Sequence, residues 1–152
     1  MAVFKFRLAA VLRLRERIRD QKHWELNALH ETRRQMVAEL DTLESELAEG
    51  SAFAEEGQIF NAIELRLRAE HGQSLLKRIN AKRIALAQFN DILADKRGEV
   101  VEAMRAVKSL EQLQQRHEER YWRGQHAAEQ RFSDEIAQRN FLQSESRKKG
   151  PS

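Results

Sequence analysis

"LNALHETRRQMVAELDTLESEL", residues 26–47, decides the fold. Leu26, Leu29, Arg33, Met36, Leu40, Leu43 and Leu47 fall alternately three and four residues apart, and only the arginine is polar. A strand repeats every second residue; an average spacing of 3.5 is that of a helix supercoiled on a partner. The count runs on upstream without a slip through Lys22, Arg19, Arg15, Leu12 and Leu8. There the seam itself turns cationic, and the apolar side chains drift to Val11, Leu14 and Ile18.

A second seam follows. Ile79, Leu86, Leu93, Val100 and Val107 are seven apart, and Leu75, Phe89, Ala103 and Leu110 supply its other row. After Leu113 the pattern weakens and becomes aromatic, with Tyr121, Trp122, Phe132 and Phe141. Between the seams lie Gly50 and Gly57, and then Asn61 with Glu64 three residues on. Gly50 suits the left-handed position after a helix end, and Asn61 with Glu64 suits a reciprocal cap at a new N-terminus. The reading is helix 1 over about 4–49, a connection over 50–60, helix 2 over about 62–142, and a disordered tail over 146–152, in one domain. Gly72 is the rival site for the turn.

Two seams joined by a short connection fold back as an antiparallel hairpin. The fold class is therefore all-α, a two-helix coiled-coil hairpin. Charge agrees with this. Residues 38–56 carry seven acids and no lysine or arginine, whereas 66–97 carry eight lysines and arginines against three acids. A turn near residue 55 sets these blocks face to face and brings Leu43 and Leu47 near the residues just after Ala62. The same turn exhausts helix 1 when helix 2 reaches about Met104, so the rest of helix 2 is expected to protrude without an intramolecular partner.

Charged residues make up 34% of the 152, and the single proline, Pro151, lies in the tail. That composition belongs to long helices. Without cysteine there is neither disulfide nor thiolate metal site. No apolar run approaches the roughly 20 residues of a membrane span, so no direct membrane insertion is expected. Neither a Gly-rich phosphate loop nor a nucleophile elbow occurs, and "HEER" at His117 lacks the second histidine of a zinc pair. No catalytic residue, metal or cofactor is expected. The opening basic stretch also admits a membrane-surface helix or a nucleic-acid arm. Its interleaved acids and apolar seam residues disfavour nucleic acid, and none is expected as a partner.

Three stretches carry a family likeness: "FKFRLAAVLRLRE" at 4–16, "AVKSLEQLQQRHEERY" at 106–121, and "AEQRFSDEIAQRN" at 128–140 with its Asp134–Glu135 pair. In this order they resemble FliJ-type proteins, the general stalk component of bacterial flagellar export. Virulence-type secretion systems have a stalk of the same plan. The resemblance implies a two-helix coiled coil similar to the γ stalk of rotary ATPases. Its helix termini would insert into the hexameric ring of an export ATPase similar to FliI. It would also contact an export-gate protein similar to FlhA and handle export chaperones, in the cytoplasm at the inner-membrane gate. For the ring-binding end it points to Arg13, Arg15, Arg17, Arg19, Leu110, Leu113, Arg116 and Trp122. In the hairpin the seam arginines Arg15 and Arg19 must be solvated or meet a carboxylate, and Glu111 is close enough to serve. For the gate it points, through the Leu110 anchor, to His71, Leu75, Arg78 and Lys82. Beside this stands a plainer reading, a generic coiled-coil scaffold or adaptor whose arginines are a solvated face.

Overall fold

The computed structural model describes residues 3–55 and 59–150, apart from the side chains of 53–55. Gly57 and the last two residues of the expected tail lie outside them. Two helices make up the described chain, α1 (Ala9–Glu55) and α2 (Ala62–Lys148), and no strand occurs among the described residues.

The helix ends follow from local chemistry. At the head of α2 the Asn61 N–H donates to Glu64 Oε2 at 3.3 Å, and the Glu64 N–H donates to Asn61 Oδ1 at 2.8 Å. That is the reciprocal cap read from the sequence; it satisfies two backbone donors that the first turn leaves without partners. Glu64 in the first turn and Arg147 and Lys148 in the last also suit the helix dipole. Helix 1 was expected to stop at 49, but α1 runs through Gly50 to Glu55. A glycine inside a helix costs only about 1 kcal/mol, and the alanines and glutamates around it are strong helix formers. Gly72 likewise sits inside α2 and makes no turn. The expected tail is helical as far as Lys148, where the Lys149 N–H still donates to the Glu145 carbonyl at 3.1 Å. At the other end, residues 3–6 are not helical, and α1 begins at Ala9 where its N–H meets the Phe6 carbonyl at 3.2 Å.

By contacts the chain divides into two units, one of Met1–Arg15 with Arg105–Ser152, the other of Glu16–Met104. In the second, larger unit the two helices pack antiparallel. Lys22 reaches Glu99 at 3.1 Å, Glu25 meets Lys96 at 2.8 Å, Arg33 donates to Asn90 Oδ1 at 2.9 Å, and Glu39 pairs with Lys82. Each step up α1 is matched by a step down α2. Leu43, Leu75 and Ile79 form the core, with Leu40 and Leu47 against it, and Leu93 and Val100 are buried further along. Leu43 and Leu47 therefore meet Leu75 and Ile79, not the residues just after Ala62, and 61–70 are exposed throughout. The longer α1 explains the correction. Moving a hairpin's turn from about 55 to about 60 moves every antiparallel partner by about ten residues, because both helices rise by about 1.5 Å per residue.

In the smaller unit Phe6, Leu12 and Val107 form a core of their own, packed against Phe4, Leu8, Ala9, Leu110 and Leu113. Helix 2 beyond Met104 was expected to lack an intramolecular partner. Instead its Val107–Leu113 face is covered by the start of α1 and by the non-helical residues before it. From Trp122 onward every described residue except Gln125 is exposed.

The neighbours Leu75 and Leu76 give a direct test, for the first is 2% exposed and the second 48%. Leu75→Ala should cost about 2–4 kcal/mol in urea unfolding followed by circular dichroism, as buried leucines do. Leu76→Ala should stay within about 0.5 kcal/mol of the parent.

Candidate functional site

Of the residues expected at the ring-binding end, Arg13, Arg15, Leu110, Leu113, Arg116 and Trp122 fall in the smaller unit. Leu110 and Leu113 belong to its hydrophobic core and are covered there. Arg13, Arg15 and Arg116 are exposed, and none takes part in an ion pair among the described residues. Glu111, the carboxylate expected beside Arg15 and Arg19, is bound to neither of them. Arg17 and Arg19 lie in the larger unit, where Arg17 is exposed and Arg19 Nε meets Asp20 Oδ1 at 3.1 Å.

The aromatic residues organise the smaller unit. Phe4 lies 5.6 Å from Tyr121 and Phe6 5.9 Å from His117, both ring to ring, and Tyr121 meets Trp122 edge-on at 5.3 Å. The physical reason is periodicity: Val107, Leu110, Gln114, His117 and Tyr121 continue the seam of α2 by alternate threes and fours. α1 has ended by then, and the non-helical residues carrying Phe4 and Phe6 cover the stripe in its place. Trp122 stays 43% exposed on the rim of this clasp.

Periodicity alone passed over one residue. Trp24 is 67% exposed on α1 in the larger unit. It stands between the seam positions Lys22 and Leu26 and seven residues after Arg17, which puts Trp24 and Arg17 on one outward helix face. The signal was present, since a tryptophan outside the seam has no core to fill, and exposed tryptophans are common anchors of interfaces.

The four positions expected at the gate lie in the larger unit and do not form one free surface. Leu75 is in the core, Lys82 is paired with Glu39, and only His71 and Arg78 are exposed. His71 and Leu75 do share the lining of an open cleft of about 660 Å³ with Leu47, Phe60 and Leu65. Arg68 lies over the Phe60 ring at 4.0 Å.

In the larger unit a set of charges is paired across the two helices. Lys96 Nζ sits between Glu25 Oε2 at 2.8 Å and Glu99 Oε2 at 2.9 Å, while Lys22 reaches both carboxylates. The hydrogen bond from Lys96 holds the Glu25 carboxyl below its ordinary 4.5, and Gln21 adds a second. Lys96 lowers Glu99 in the same way, with Lys22 next. Glu25 first, then Glu99, raises Lys96 above 10.5. Among the described residues no group of three or more histidine, aspartate or glutamate side chains is placed to hold a metal. No helix among them is long and apolar enough to cross a membrane.

The family model described as "Flagellar FliJ protein" matches residues 4–146, nearly the whole chain. No curated protein and no solved structure matches it.

Two outcomes follow from this geometry. Charged Glu25, Glu99 and Lys96 support the fold fully above pH 4.5 and below 10.5. The support is lost as pH falls through the lowered carboxyl values or rises through the raised lysine value. Thermal unfolding should show a plateau between about pH 5 and 10 with a fall on each side, and Lys96→Met should lower the plateau and blunt the alkaline fall. In the smaller unit, Phe6→Ala should cost about 3 kcal/mol locally, the scale for a buried phenylalanine. Hydrogen exchange at 107–121 should then speed up while 75–100 keep their protection.

Proposed function

Because the chain belongs to the FliJ family, we propose that it is the non-enzymatic stalk of the flagellar protein export apparatus. Membership itself carries a flagellar, export-related role within a structural family, not an enzymatic one. The stalk reading goes further: one end docks in the hexameric ring of the export ATPase, and the protein couples that ring to the export gate and receives export chaperones, in the cytoplasm at the membrane.

The match over residues 4–146 carries this reading, and the form of the molecule supports it. Two helices held antiparallel by leucines and by crossed ion pairs resist twisting better than one helix, as a torque-bearing element needs. The last part of α2, exposed from Trp122 apart from Gln125, projects as a single helix on this reading and is covered only when the ring takes it up. In the smaller unit Arg13 and Arg15 belong to the docking end with Arg116 and Trp122, while Leu110 and Leu113 serve it by holding the clasp beneath. Arg17 and Arg19, in the larger unit, are contacts of their own on this reading. The gate contact falls at the open cleft, where Leu75 forms part of the wall and His71 stands beside it. Arg78 and Lys82 then flank the contact.

Turnover of the cognate export ATPase, measured with and without the protein, tests the reading. The expected result is stimulation, reduced severalfold by reversing Arg13 and Arg17 to glutamate with helicity unchanged, since both are exposed. Unchanged turnover together with separate elution of the two proteins would leave a generic scaffold instead.

A further inference from the structure

The two units treat their charges differently. The larger one holds thirteen lysines and arginines against seventeen acids, a net of −4. At least seven of its cations form ion pairs among the described residues: Arg19, Lys22, Arg34, Arg66, Lys82, Arg83 and Lys96. The smaller unit holds fourteen against seven, a net of +7, and none of its lysines or arginines forms an ion pair among the described residues. Acids are at hand, and those with a partner among the described residues meet His126 or a glutamine instead. The Oε1 of Glu119 accepts a hydrogen bond from Gln115 Nε2 at 3.4 Å, although Arg116, Arg120 and Arg123 lie within four residues of it.

Those three arginines form a row. Positions 116, 120 and 123 are spaced by four and three, so they share one face of α2, and Arg105 lies on the same face three turns earlier. All four are exposed, turned away from the stripe that packs on Phe6 and Leu12. We propose that this face of α2, Arg105, Arg116, Arg120 and Arg123, is a docking surface for an acidic protein groove. On the stalk reading, on which the identity of the partner rests, that groove lies in the export ATPase ring.

The chemistry of the face selects its occupant. Every cation in the row is an arginine, whose planar fork pairs with carboxylates through two parallel hydrogen bonds. A lipid surface requires apolar side chains beside the charges, and the row is filled in by Ser109, Gln112 and Ala127 instead. A polyphosphate is uniformly negative and would press on Glu118 and Glu119, which stand in the same stretch. A folded acidic surface places its carboxylates singly and can set a cation opposite those two. Within the chain itself, seven acids of the larger unit are already ion-paired among the described residues.

Binding of the full-length protein to poly-L-glutamate, followed by fluorescence anisotropy at several salt concentrations, tests the face without the ATPase. The expected result is association that weakens steeply with salt and falls roughly tenfold or more in Arg116→Glu/Arg120→Glu/Arg123→Glu. The milder Arg→Gln triple should lie between, and circular dichroism should be unchanged in both. Vesicles of phosphatidylcholine with phosphatidylglycerol, and a DNA duplex, serve as competitors. Tighter binding to either, a salt-sensitive dimer abolished by the same reversal, or a triple variant that binds polyglutamate as well as the parent would overturn the proposal. Co-elution with the ATPase ring is read separately. A parent protein that binds polyglutamate through the row but ignores the ring contradicts the stalk reading alone. A parent that enters the ring undisturbed by the reversal contradicts the docking face alone.

Discussion

Everything in this molecule depends on the register in which two amphipathic helices bury their apolar stripes against each other. Neither stripe is stable alone, because an isolated helix leaves its leucines in water and gains little from propensity. Leu43 set against Leu75 and Ile79 fixes the register in the larger unit. Once that contact is chosen, the crossed pairs Glu25 with Lys96 and Glu39 with Lys82 follow from the pitch of the helix. A seam position occupied by Arg33 is then tolerated because Asn90 stands opposite to accept its Nε–H. The ion pairs sit on the flanks and are partly exposed, so they select the pairing more than they add stability.

The same rule has a different outcome in the smaller unit. The stripe on α2 runs on past the start of α1 at Ala9, and burial requires a cover of another kind. Phe4 and Phe6, in the non-helical residues before α1, provide it against Tyr121 and His117. Aromatic side chains suit this task because each covers a large area with few rotatable bonds. The clasp leaves the outward face of α2 free, and on that face the arginines remain uncompensated. Cations of the larger unit are in part paired across its helices, whereas those of the smaller unit form no ion pair among the described residues.

Much of this was legible in the residues. The 3.5-residue spacing of Leu26–Leu47 announced a coiled coil, Asn61 with Glu64 marked the head of α2, and opposite charge blocks announced antiparallel pairing. The exact partner of each residue was not legible, because it hangs on where the turn lies. Gly50 resembles a helix stop in any list of caps, yet its cost is about 1 kcal/mol and the alanines around it outweigh that. Five residues of error in the turn became ten in the pairing. For that reason Val107 and Leu110 read as lacking an intramolecular partner. Phe4 and Phe6 read as the start of a helix, since periodicity cannot distinguish a first turn from a non-helical cover. The contrast between paired and unpaired cations was hidden for the same reason: pairing across helices exists only once the register is known.

The register is also the claim most directly open to measurement. Spin labels at the exposed positions Gln35 and Gln88 of the larger unit should give a short dipolar distance, on the order of 20 Å or less, because residues flanking the Arg33–Asn90 bond face each other. Labels at Gln35 and Lys77 should be further apart along the axis by about 15 Å, the rise of some ten helical residues. The reverse order would restore a turn near residue 55. A dipolar signal between singly labelled chains as strong as that within one chain would replace the hairpin with a pairing of two molecules.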